Sequence, residues 1–236
     1  MSNAAPRPAP PFARAPHALL LILALALLAF YPSYLSRLPE TDAVRHFHAS
    51  VAFAWMLLLV AQATLARLKK FHWHRPLGKT VYVIAPLFVA SGVLILHEMA
   101  SFANPFQQAF GAQLILVDAL TVGFYVVAVW QALRHKRDVQ VHARWMISTA
   151  LVLLPPVFAR LIGMTGQVES FEAAFHGAFF ATEAIMLAVL WRDARAGRGA
   201  VAYWAVLGVS VAAHIGFMVV PHVPAWTALC RAFGTL

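Results

Sequence analysis

Apolar residues in this chain neither alternate with polar ones nor recur only at helical spacing. They run on. Seven stretches, near residues 18–35, 46–68, 76–97, 111–133, 142–163, 172–191 and 200–222, are long and apolar enough to cross a bilayer as helix, which takes about 20 residues. Runs such as 19–30 and 81–96 are continuous, whereas a barrel strand shows about ten residues of alternating pattern. The pattern predicts an all-α integral membrane bundle of seven transmembrane helices. Arg7 and Arg14 give the first stretch the outline of a signal peptide. Tyr31 and Tyr34, placed like interfacial anchors, and the lack of a small-x-small cleavage motif favour a retained helix.

Of the 236 residues, 61% are hydrophobic and 11% charged, with 18 Lys+Arg against 9 Asp+Glu. In a soluble protein a net charge of +9 would suggest nucleic acid. Here the distribution of that charge sets orientation instead, and no nucleic-acid partner is expected. Fourteen of the 18 basic residues precede the first stretch or lie between the second and third, fourth and fifth, or sixth and seventh. Arg37, Arg45, Arg160 and Arg231 fall on the other side. The positive-inside rule puts the N-terminus in the cytoplasm and the C-terminus outside.

Residues 1–16, rich in Ala and Pro, read as a disordered cytoplasmic lead-in, and 17–236 as a single transmembrane domain. The lone cysteine, Cys230, excludes an intramolecular disulfide and any CxxC motif, and reads as packing. The external segments 98–110 and 164–171 carry Asn104-Pro105 and Gly166, so they read as loops able to cover a site. Neither a Walker-type phosphate loop nor a GxSxG motif is present.

Eleven histidines in a chain this poor in charge stand out, because ionisable groups are costly inside a bilayer. They sort into two sets. In the outer half, His48, His97, Asp118, His176 and His214 come from five different stretches at comparable depth, with Arg160 joining from a sixth. Imidazoles with a carboxylate suit zinc, iron or copper, and bundles build such sites from facing helices. His46 and His48 lie about 200° apart on a helix. His48 shares its face with Trp55 and Gln62, which leaves His46 as the interfacial residue. Glu172, His176 and Glu183 fall on one stripe, giving the Glu183 carboxylate a histidine neighbour. The competing reading makes His46, His97 and His222 headgroup-level residues, Asp118 and His214 interhelical hydrogen-bonders, and Arg160 a snorkelling cation. In the cytoplasmic set, His74 lies in His74-Arg75-Pro76-Leu77-Gly78 and His142 in His142-Ala143-Arg144-Trp145-Met146. Two imidazoles entering from one face could ligate one haem iron, or bind anionic headgroups with Arg75 and Arg144. A plain interfacial Trp/His/Arg belt is the alternative.

The order His48, Gln62, Arg67, then HR-x-LG at 74–78, H-x-R-W-M at 142–146 and Arg160 resembles a bacterial family of polytopic membrane proteins described only as a predicted membrane domain of unknown function. The resemblance covers roughly residues 45–163 and implies a helical fold in a bacterial inner (cytoplasmic) membrane. More distantly, the histidine layout is similar to the diheme four-helix cores of transmembrane cytochromes b. That similarity implies haem b between His74 and His142, with His48 beginning a second pair. The fourth stretch offers Asp118 where the second pair would need a histidine.

Three function classes stay open. The first is a haem- or metal-binding electron-transfer protein, a membrane oxidoreductase working with a quinone, a lipid or a small electron donor. The second is a metal-dependent membrane hydrolase, similar in outline to the alkaline ceramidase and adiponectin-receptor superfamily. The HxxxH pair of that superfamily's last helix has no counterpart here, since His214 and His222 are eight residues apart. The third is a transporter, lipid-binding protein or assembly subunit without chemistry. A retinal protein is excluded: its Schiff base needs a lysine within the bundle, and the last lysine is Lys136, in a loop.

Overall fold

The protein is described by a computed structural model covering residues 12–195 and 201–236; most of the expected lead-in and the loop position of Arg198 lie outside these residues. The described residues form ten α-helices and no strand: α1 Ala15–Phe30, α2 Ala43–Arg67, α3 Phe71–Gly78, α4 Val81–Met99, α5 Pro105–Arg134, α6 Val139–Leu151, α7 Leu154–Met164, α8 Phe171–Arg195, α9 Val201–Val219 and α10 Pro224–Gly234. A 3-10 segment, Leu35–Glu40, precedes α2, and a second, Val220–His222, extends α9.

Six units among the described residues are long and apolar enough to cross a membrane: α2, α4, α5, α6 with α7, α8, and α9 with its extension. The molecule is therefore a multi-pass membrane protein, with residues such as Leu20, Tyr82, Phe180 and Trp204 turned outward where lipid would meet them. The seventh expected span is α1, whose 16 residues reach about 24 Å, short of a hydrocarbon core of about 30 Å.

Polar side chains set several helix starts. Asp42 caps α2 by accepting from the Arg45 N–H at 2.9 Å, and that hydrogen bond, with the Arg45 guanidinium beside it, holds its carboxyl below the usual range against a small opposing effect of desolvation. Asn104 and Gln107 form a reciprocal capping box at α5, and Asp138 caps α6 through Gln140 and Val141. The segment expected to be a loop over 98–110 is thus helical at both ends, with 98–99 closing α4 and 105–110 opening α5, and only 100–104 connect them. Pro76, expected in the first turn of a span, sits instead inside the separate helix α3, and the span itself begins at Val81. The α10 helix was not predicted; it docks on the bundle through Trp226, whose indole N–H donates to the Ala112 carbonyl at 2.8 Å, and through buried Cys230, whose thiol is pushed up by desolvation.

Packing places the helices in a closed ring: α1, α2, α4, α5, α9, α8, α7 and back to α1. Small residues allow the close approaches, since a Cβ on Gly216 would come 2.6 Å from Leu116 across the α5–α9 contact. The α6 helix lies inside the ring, touching α5, α9, α1 and α2, whereas α7 joins the wall between α1 and α8. Pro155 and Pro156 cause the change of course, because neither can donate to the preceding turn. One end of the bundle is therefore filled by α6 and carries the basic loops (the basic end). At the opposite end, the departure of α7 leaves a void.

Candidate functional site

That void is a cavity of about 480 Å³. Its walls are largely apolar, including Phe88, Val117, Phe179 and Met186, and His48, Asp118, Tyr125, Arg160 and Ser210 also line it. His48 is fixed by Ser91: the Ser91 hydroxyl donates to the Phe88 carbonyl at 2.8 Å, so its oxygen accepts the His48 Nδ1–H at 3.1 Å. The free nitrogen of His48 is then Nε2, an acceptor. Its ring stacks on Phe88, which meets Tyr125 edge-on at 4.8 Å. Arg160 donates to the Pro156 carbonyl and lies 4.1 Å from the Phe30 ring centre, and no carboxylate among the described residues is ion-paired with it. The buried Tyr125 hydroxyl and Ser210 hydroxyl have no hydrogen-bond partner. Near the rim, Arg45 joins Glu98 at 2.5 Å and also pairs with Asp42.

A second polar group lies behind the Phe179 wall. Glu183 on α8 accepts from His214 Nδ1–H on α9 at 3.2 Å, and His214 Nε2 accepts from His176 Nδ1–H at 2.9 Å. Phe175, Phe179 and Phe180 pack around the His214 ring. Three titratable groups are thus wired in series, with His176 Nε2 left over at one end. Such a series can pass a proton by coordinated tautomer exchange.

The basic end holds the third group. His74 donates its Nδ1–H to the Gln62 carbonyl at 3.2 Å, and His142 does the same to the Ala132 carbonyl at 2.8 Å. Both Nε2 atoms are therefore free lone pairs. Burial pushes the His74 imidazolium down, and nearby His142 and Arg75 add to that shift against the opposing carbonyl bond. The side-chain amide of Gln62 is buried without a partner, and a Cβ on Gly78 would come 3.6 Å from its nitrogen. Close by in sequence, Arg144 makes a buried two-pronged pair with Asp193, Nε to Oδ2 at 2.9 Å and Nη2 to Oδ1 at 2.7 Å. Sequence reasoning missed this pair because the partner lies 49 positions away on another helix.

The five residues proposed from sequence as one metal set do not form one cluster. His48 and Asp118 share the cavity, His176 and His214 share the wired series, and His97 packs edge-on against Phe233 of α10. No group of three His, Cys, Asp or Glu among the described residues is arranged to hold a metal ion. His214 illustrates why, with both nitrogens committed to neighbours. Glu183 finds its histidine on α9 rather than on its own stripe, since His176 is seven residues, about 10 Å, away along α8. His46 clasps the 3-10 segment to α2 through the Leu38 carbonyl and the Tyr34 hydroxyl. Tyr125 and Ser210 were not singled out, as each is one polar group in an apolar run.

No family model matches the chain, and neither curated proteins nor solved structures gave a match.

Proposed function

We propose that the protein is a haem-binding electron-transfer protein of a bacterial inner membrane, with α1 as a seventh, shorter membrane helix, the basic end in the cytoplasm and the C-terminus outside. One observation carries the reading: His74 and His142 each spend Nδ1–H on a backbone carbonyl and keep Nε2 free, at the same end of the bundle and near enough for His142 to influence the His74 charge. Anchoring of that kind fixes the tautomer and orientation of a ligating imidazole. The donor set fits haem: two neutral imidazoles, the unpartnered Gln62 amide beside them, and Gly78 without a side chain over that amide. His74 and His142 would be the axial ligands, and the group would supply one-electron transfer there. The orientation is supported by the bias of 14 to 4 among the 18 basic residues. A quinone, a lipid or another small donor would be the redox partner.

The test is an absorption spectrum of protein purified in mild detergent from haem-replete cells. Sharp α and β bands on reduction, lost in His74→Ala and in His142→Ala, are expected. Correctly folded, colourless wild-type protein would overturn the assignment.

A further inference from the structure

The cavity at the opposite end is independent of the haem reading. Two carboxylates, Asp118 and Glu98, and two guanidiniums, Arg160 and Arg45, line it; Glu98 and Arg45 are ion-paired with each other, which leaves Asp118 and Arg160 as the charged groups without an ion-pair partner among the described residues. Beside them stand a free imidazole acceptor on His48 and two hydroxyls, Tyr125 (1% exposed) and Ser210 (4% exposed), which have no partner of their own. Buried polar groups are normally satisfied, and orphans gathered around one void point to something that fills it.

Charge selects the class of occupant. A ligand with a single negative charge would pair with Arg160 and be repelled by Asp118, and a single positive charge would meet the reverse problem. A net-neutral ligand carrying both signs meets both groups. The walls, Phe88, Phe179 and Val117 among them, call for an apolar body between or beside the charged groups. A volume of about 480 Å³ lies within the range of small-molecule sites.

We infer that the cavity is a binding site for an apolar zwitterion, its ammonium directed to Asp118 and His48 Nε2 and its anionic group to Arg160, with the Tyr125 and Ser210 hydroxyls completing the hydrogen bonds. The same chemistry occurs in a free amino acid with an apolar side chain and in the headgroup of phosphatidylethanolamine.

The experiment uses the full chain in nanodiscs of phosphatidylglycerol. Binding of L-phenylalanine is compared by calorimetry with 3-phenylpropionate, which lacks the ammonium, and phenethylamine, which lacks the carboxylate. Phenylalanine is expected to bind at least about tenfold more tightly than either, with a similar loss in Asp118→Asn and Arg160→Gln. In parallel, native mass spectrometry of protein extracted with its own lipid asks whether phosphatidylethanolamine is retained and is released by the same two substitutions. Retained lipid with no phenylalanine binding assigns the lipid headgroup as the source and upholds the site. Equal binding of the single-charge analogues, or no binding of amino acid or lipid by wild-type protein, would overturn it and leave a water-filled cavity. The ligand comparison on wild-type protein stands even if a variant fails to fold, and neither arm depends on whether the protein is coloured.

Discussion

Two pairs of histidines, His74 with His142 and His176 with His214, are used in opposite ways in this bundle. At the basic end, His74 and His142 each lean on a backbone carbonyl and keep one nitrogen free. At the other end, His214 gives one nitrogen to Glu183 and the other to His176, so nothing remains to bind a ligand. Imidazoles of one bundle thus have different chemistry. The difference lies in what each Nδ1 touches. A carbonyl is an inert acceptor that leaves the ring ready to ligate, whereas another titratable group turns the ring into a link through which protons can pass.

The sharpest break of the comparison is all-or-none. His142→Ala is expected to abolish the haem spectrum, and His214→Ala to leave it intact; loss of colour in both would erase the distinction. Next in size is the buried pair at the basic end. Arg144→Ala strands Asp193 and is expected to cost about 3–5 kcal/mol, read as a large fall in thermal stability in detergent. By contrast, Glu183→Gln keeps the shape of the wired series and removes only its charge, for an expected loss of about 1 kcal/mol. A Glu183→Gln effect as large as that of Arg144→Ala would mean that the series holds the fold rather than serving as a link.

The smallest expected effect is on pH dependence. His74 has its folded-state pKa pushed below the ordinary 6.5, chiefly by burial. The unfolded chain therefore takes up its proton first as pH falls. Its neutral form costs nothing above pH 6.5, and stability declines as pH drops from there through the lower folded value. Asp42, with its pKa depressed below 3.8, contributes stability that is lost only in a more acidic window. In protein freed of haem, melting temperature should begin to fall below pH 6.5, and His74→Gln should flatten that fall. An unchanged slope in the variant would show that His74 is not the group responsible.

The long spans were legible because length and apolarity are properties of a single segment. What was not legible depends on pairs of segments. The stretch 142–163 reads as one span, and its pattern does not tell that the adjacent prolines divide it, with α6 taking the centre of the ring and α7 its wall. Asp118 and His48 could be singled out as costly groups, and the structure brings them to one cavity. His176 and Glu183 lie on one face of one helix, yet the group that links them comes from α9. Helical periodicity tells which side chains look the same way without telling what they see. The α10 helix escaped for a simpler reason: its 11 residues are too short for a span, and its amphipathic pattern has meaning only against the surface of α4, α5 and the 3-10 extension of α9 that it covers.

The proline pair has one more consequence. A continuous helix would send two N–H donors to the carbonyls of Leu151 and Val152, and Pro155 and Pro156 have none to send. The chain thereby forgoes two rungs of its own ladder and gains a room. Because that room is written into the main chain, substitutions among its furnishings can change which guest it receives while the room itself persists. Replacing both prolines by alanine would restore the rungs and allow the helix to continue straight through the space, closing the room without touching any residue that faces the guest's charges.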